Sequence, residues 1–408
     1  MTLVAVSSVV RRAPSEEHSS FLRLVDLERG RTIFTVAVPE SSSRAVDPNP
    51  RGGLRGARGV SAFGERLIVA RSDRIFVVDR SGKLEQTLTD RSVGGIHDVL
   101  AEEDGVWVTA TAASALFKLS WTGEVLMRWT VADDPEVAEA LQIEVPPAFD
   151  DSIDYRTPSP GVAVHDRVHM NAVLRDDARL LISLGLIRSS ATQRRETAKA
   201  AVAKVGTTFP PTRRILGALQ RRRHEQRHGP PTHRGAQTER DRPAPTKPGS
   251  SHAIVELELG DQGLGPARVL WHQRDIATPK HNIWLHGQTL LFNDSDAGEL
   301  VGVDLASGRV ELKIPIPGSP SFARGLHALS DDELLIGSQR PAAIYVVRLS
   351  ERSVTQKIEL GGQPWETVYA ICELPPSFSG DDVDGFREWA AGVWIPEEVD
   401  QSTSTGSG

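Results

Sequence analysis

The sequence predicts an all-β protein, a six-bladed β-propeller closed by pairing N-terminal strands with a C-terminal innermost strand. Three observations lead there. The apolar runs are short and rich in β-branched residues, and 35 Gly and 26 Pro punctuate them, which favours strands and turns over long helices. A unit of four such runs recurs with a period of about 40 residues, the length of one propeller blade. Finally, strand-like pieces are left over at both ends of the chain, and together they complete one more unit.

The clearest unit is RGVSAFGERLIVARSDRIFVVDRSGKLEQTL at 58–88, which reads strand, turn, strand, turn, strand, Ser-Gly turn, strand. Apolar residues alternate within each piece, as a half-buried strand requires. The same order returns at 97–129, 281–314 and 324–358. A fifth blade begins at 169–187 and resumes at 252–271. The sixth draws its innermost strand from ETVYAICEL at 366–374 and three more from LVAVSSV, FLRLVDLERG and RTIFTVAV near the N-terminus. Stitching first and last blades into one sheet removes the edges that invite aggregation.

The expected organisation is a propeller over 1–378, a basic disordered insertion at 188–250 within the fourth full blade, and a C-terminal helix and flexible tail at 379–408. The insertion holds 15 Lys or Arg against four Asp or Glu, a composition that buries too little apolar surface to fold alone. Residues 133–168 contain a short helical stretch, DPEVAEALQ, and read as a loop over the channel mouth.

A net charge of −7 over 408 residues leaves no global positive field for nucleic acid or anionic lipid. The single cysteine, Cys372, excludes an intramolecular disulfide and a thiolate zinc cluster and suits a reducing cytoplasm. No run approaches the length of a membrane span. A cytoplasmic monomer without membrane or nucleic-acid contacts is expected.

In a propeller the entrance ends of the innermost strands form a ring around the axis. Aligning them places Arg58, His97, Met170, His281, Arg324 and Glu366 at one level, with Gly59, Asp98, Asn171, Asn282, Gly325 and Thr367 at the next; His169 lies one residue earlier. So many polar groups at one mouth are costly to gather without a ligand. His97, His169, His281 and Glu366 are the candidate acid/base groups. Arg58 and Arg324, each in an ARG triplet, are candidates to grip an anion bidentately. Asn171 and Asn282 would orient it. His97, His169 and His281 also suit a divalent metal. The plainer alternatives are histidines bonded to backbone carbonyls and arginines paired with Glu366 and Asp98. No GxSxG, phosphate-binding loop or HExxH pattern is present in the sequence, so the known nucleophile and zinc templates do not apply.

DRVHMNAVLRDDARLLISLG at 166–185, TPKHNIWLHGQTLLFNDSDAGELVGVD at 278–304, SFARGLHALSDDELLIGSQ at 321–339 and PWETVYAICELP at 364–375 resemble a bacterial six-bladed propeller family known only as a domain of unknown function. The resemblance implies a polar axial site at His169, Asn171, His281, Arg324 and Gly325, and is more distantly similar to lactonase-like and arylsulfotransferase-like propellers. The function expected is binding of, or metal-assisted action on, a small acidic molecule at the channel mouth. The competing expectation is a non-catalytic scaffold for a protein partner.

Overall fold

The computed structural model describes residues 2–11, 13, 17–39, 56–188, 250–260, 263–276, 279–318, 322–339, 341–363 and 365–378. The expected insertion from 189 to 249 and the expected tail from 379 lie outside the described residues. Six four-stranded antiparallel sheets follow one another around the ring. One sheet uses β1 (Leu3–Val10), β2 (Ser20–Asp26) and β3 (Arg31–Ala37). The next runs from β4 (Ala57–Phe63) through β5 (Arg66–Arg71) and β6 (Ile75–Asp79) to β7 (Leu84–Leu88). The third comprises β8 (Ile96–Glu102), β9 (Gly105–Ala110), β10 (Ala115–Leu119) and β11 (Val125–Thr130). The fourth comprises β12 (Met170–Asp176), β13 (Arg179–Arg188), β14 (Ser250–Gly260) and β15 (Gly263–Arg274).

The fifth holds β16 (Lys280–His286), β17 (Thr289–Asp294), β18 (Glu299–Asp304) and β19 (Val310–Pro315). The sixth holds β20 (Leu326–Ala328), β21 (Glu333–Gly337), β22 (Ala343–Arg348) and β23 (Ser353–Glu359). The last strand, β24 (Glu366–Glu373), returns to the first sheet and pairs antiparallel with β1. Burial explains the sequence pattern. The middle strands are apolar on both faces because each sheet is sandwiched between two others: Leu22 and Leu24 of the first meet Leu67, Val69 and Phe76 of the second. The outermost strands β7, β11, β19 and β23 alternate with exposed residues, as a single solvated face requires. No helix among the described residues is long and apolar enough to cross a membrane.

Residues 133–168 divide between two places. Helix α1 (Pro135–Leu141) is capped by Asp134, whose carboxylate accepts from the Val137 amide, and its Val137, Ala138 and Leu141 bury against Trp129 and the outer strands of the third and fourth blades. This corrects the expectation that the helical stretch covers the mouth. The part around Tyr155 and α2 (Pro160–Ala163) does lie on the entrance end, packed against Val93 and Ala113 beside the third blade.

One irregularity repeats around the ring. Five of the six innermost strands carry one residue more than the stretch they pair with: Arg58 and Gly59 lie between the pairs Ala57–Arg71 and Val60–Val69, and His97 and Asp98 between Ile96–Ala110 and Val99–Val108. The shift recurs at Met170 and Asn171, at His281 and Asn282, and in the closing strand at Val368 and Tyr369. Such a bulge re-aims side chains.

The closing strand is locked by a buried ion pair. Glu366 is 1% exposed; it accepts from Arg23 of β2 and from the Ser8 hydroxyl of β1, and the Gln363 amide donates to its Oε2 at 3.0 Å. Replacing Glu366 with Ala leaves Arg23 buried without its partner, and a loss of about 3–5 kcal/mol in urea unfolding is expected. Truncation before Pro364 removes β24 entirely and should abolish cooperative folding; a soluble truncated protein with a sharp melt contradicts the closure.

Candidate functional site at the channel entrance

The bulges bring the site together. Arg58, His97, His281 and Arg324 are all buried at the entrance ends of their strands. The Arg58 guanidinium Nη1 stands 3.2 and 3.3 Å from Nδ1 and Nε2 of His97. His97 Nδ1 lies 2.8 Å from the Gly95 carbonyl, so this nitrogen carries the proton and Nε2 accepts from Arg58. The His169 ring meets that of His97 edge-on, 4.6 Å between centroids. It reaches this position through a left-handed backbone, φ 43°, and its Nδ1 is 3.6 Å from the Asp166 carboxylate. His281 Nδ1 lies 2.7 Å from Ser295 Oγ. That hydroxyl donates to the Ala323 carbonyl at 2.7 Å, so His281 Nδ1–H donates to Ser295 and Nε2 is the acceptor.

On the opposite side of the ring the Arg324 guanidinium lies over the face of Tyr369, 3.4 Å from the centroid, and that of Arg58 is 5.8 Å from it. Arg11, just past β1, stacks on Phe322 at 4.0 Å and bonds to the Tyr369 side chain. Three guanidiniums thus address one buried phenol. Burial raises the Tyr369 pKa, yet Arg324, Arg58 and Arg11 outweigh it and hold the phenol at about 7. Burial, with Arg11 and Arg58 adding like charge, lowers Arg324 to about 9. His97 and His281 are driven well below the usual histidine range by burial first, then by Arg58 and Arg324 respectively. Asp98 is pushed up to about 7 by burial, against the backbone amides of Val173 and Val99.

Several expected roles change. Glu366 is not at the mouth: the equivalent positions of the closing strand are Val368 and Tyr369, two residues later, and Glu366 is spent on Arg23. Asn171 and Asn282 join blades. Asn171 Nδ2 donates to the Lys280 carbonyl at 2.5 Å, and Asn282 Oδ1 accepts from the Gly325 amide at 2.8 Å. Asp98 does likewise, accepting from the Val173 amide at 3.1 Å. Gly59 fills the same position in the second blade, where a Cβ would stand 2.9 Å from the Val99 amide.

Nor do His97, His169 and His281 form a metal-ligand set, for no group of three His, Cys, Asp or Glu side chains suited to a metal occurs among the described residues. The guanidinium against both nitrogens of His97 opposes a cation there. Cys372 is buried in β24 and its thiol is pushed up to about 12 by burial, as an inert core cysteine.

Sequence reasoning missed Tyr369, Arg11 and Phe322. A repeat alignment without gaps cannot register a bulge displaced along the closing strand, and Arg11 and Phe322 belong to connections outside the repeat.

No protein-family model and no curated protein matches the chain. Among solved structures, a Bacteroides caccae protein of unknown function is similar at 12% identity and TM-score 0.48, over 91% of this chain and 98% of that one. Virginiamycin B lyase from Staphylococcus aureus is similar at 12% identity and TM-score 0.38, over 75% and 71%. Apo AztD from Citrobacter koseri is similar at 9% identity and TM-score 0.39, over 91% and 99%. Likenesses this weak carry no argument about function, and the six-bladed ring rests on the strand pairing itself.

The buried histidines set a pH dependence. His252 is lowered to about 3 and His327 to about 4, both by burial, and His97 and His281 fall well below 6.5. As pH drops below about 6.5 the unfolded chain binds protons that these four refuse in the fold, so stability falls. Asp98, raised to about 7, takes up a proton in the native state and acts the other way, but it is one group against four. The urea midpoint should decline steadily from pH 6.5 to 4.5; a midpoint that rises over that range contradicts the neutral assignment.

Proposed function

We propose that this protein binds a small anionic molecule, a carboxylate or an oxyanion, at the entrance of the propeller channel. The observation that carries this reading is the environment of Arg324. Arg324 is 4% exposed, yet no carboxylate among the described residues lies within ion-pair distance of it. A buried cation is ordinarily paired because desolvation is expensive. Here its close neighbours are a tyrosine face and two more guanidiniums, Arg11 and Arg58. Arg11 and Arg58 add like charge to Arg324, and an incoming anion relieves the cost of the buried guanidinium through charge-assisted hydrogen bonds. The neutral His97 and His281 add a polar wall that selects shape without adding charge. The site is built from side chains of separate blades, so the binding geometry is as rigid as the ring.

A thermal-shift screen of carboxylates, phosphates and sulfates is the direct test. Changing Arg324 or Arg58 to Met should weaken binding of the responding anion by about 1.5–3 kcal/mol, the size of a lost hydrogen bond to a charged group. Arg324→Met should also melt at the same temperature or higher, since a buried cation gives way to an apolar side chain. A wild-type protein that answers to none of these anions contradicts the reading.

A further inference from the structure

One side chain at the entrance faces all three guanidiniums with an ionisable hydroxyl. Tyr369 is the bulged residue of β24, left between the pairs Ser8–Val368 and Ser7–Ala370, and it is 8% exposed. Its ring lies beneath Arg324 at 3.4 Å and beside Arg58 at 5.8 Å, and Arg11 bonds to its side chain. A phenylalanine would serve the stacking equally well. Among the other titratable groups at the entrance, Asp98 accepts from the backbone amides of Val99 and Val173, His97 has its ring nitrogens on the Gly95 carbonyl and the Arg58 guanidinium, His281 uses Nδ1 on Ser295 and keeps Nε2 as an acceptor, and His169 lies edge-on to His97.

We propose that Tyr369 is the proton-accepting residue of this site, its phenolate held by Arg11, Arg58 and Arg324 and aimed at the bound anion. The proposal rests on the anion-binding reading for its substrate. In the step, a lone pair on Tyr369 Oη takes a proton from an O–H or C–H of the bound anion; the phenol O–H bond forms, the substrate bond breaks, and its electron pair stays on the substrate. The negative charge moves from one partner of the guanidiniums to the other, so the arginines stabilise it before and after transfer. The substrate class that fits is an acid carrying a second, weakly acidic proton near its carboxylate or oxyanion group.

Tyrosinate absorbance near 295 nm reads the phenolate directly, and the chain has only 3 tyrosines. In the full-length protein one tyrosine should titrate with a midpoint near pH 7. That step should vanish in Tyr369→Phe and move upward by a unit or more in Arg324→Met, as expected when an adjacent positive charge is removed. A wild type with no tyrosine titrating below about pH 9, or a neutral step that persists in Tyr369→Phe, overturns the proposal. If Tyr369→Phe does not fold, the wild-type titration and Arg324→Met decide it alone. Added sulfate separates the two readings: bound at the arginines it should raise the Tyr369 midpoint. A neutral step that sulfate leaves unmoved at saturating concentration removes the anion reading while keeping the phenolate.

Discussion

Near the entrance, three bulged innermost strands reach across to the following blade with a side chain, and the ring is held together there by that repeated connection. Asp98 reaches the fourth blade, Asn171 the fifth and Asn282 the sixth. The same role falls to Ser7 across the closing sheet: its hydroxyl donates to the Arg58 carbonyl at 2.7 Å and accepts from the Ala370 amide at 3.1 Å. These bonds satisfy backbone groups that the bulge frees from the sheet ladder, where an unpaired buried amide is expensive. A sheet edge that a bulge had opened is thus sealed by its neighbour. The cost of irregular backbone and the need to hold six sheets in a ring are met by the same side chains.

That arrangement also builds the site. A bulge re-aims the residues beside it. In the second blade it presents Arg58, in the third and fifth His97 and His281, and in the closing strand Tyr369, one residue past Val368, while Arg324 enters from the segment ahead of β20. Gly185 shows how tightly the geometry is set: a Cβ there would stand 1.9 Å from Asn171 Nδ2, so the amide reaches the Lys280 carbonyl only because that position is bare. The ion pair of Glu366 with Arg23 lies a few residues from Tyr369 on the same strand, and the charge that locks the closure is kept apart from the charge that serves the channel.

Much of this was legible in the sequence. Blade count, strand order and the closure by both ends follow from apolar alternation and turn residues, which are local and survive into the fold. The first ring position was legible for Arg58, His97, His281 and Arg324, which the structure buries together at the entrance. It failed in the closing strand, where the bulge falls at Val368 and Tyr369 rather than at Glu366. Register is set by pairing with β1, which is distant in the chain. The roles of Asn171 and Asn282 were hidden for a related reason: whether an amide side chain faces the channel or a neighbouring carbonyl depends on the approach of another blade. Charge balance was the least visible, since Glu366 finds Arg23 and leaves Arg324 without a carboxylate.

The channel entrance buries a positive charge at Arg324 that no carboxylate among the described residues pairs, and that should hold an anion. Anomalous diffraction from crystals grown with selenate tests it most directly, because the selenium position is read from its own signal. A selenium peak is expected at the entrance within hydrogen-bonding reach of Arg58 or Arg324 and beside Tyr369, lost in crystals of Arg324→Met. Selenate found only on outer strands or at lattice contacts, with the entrance occupied by ordered water alone, would contradict it.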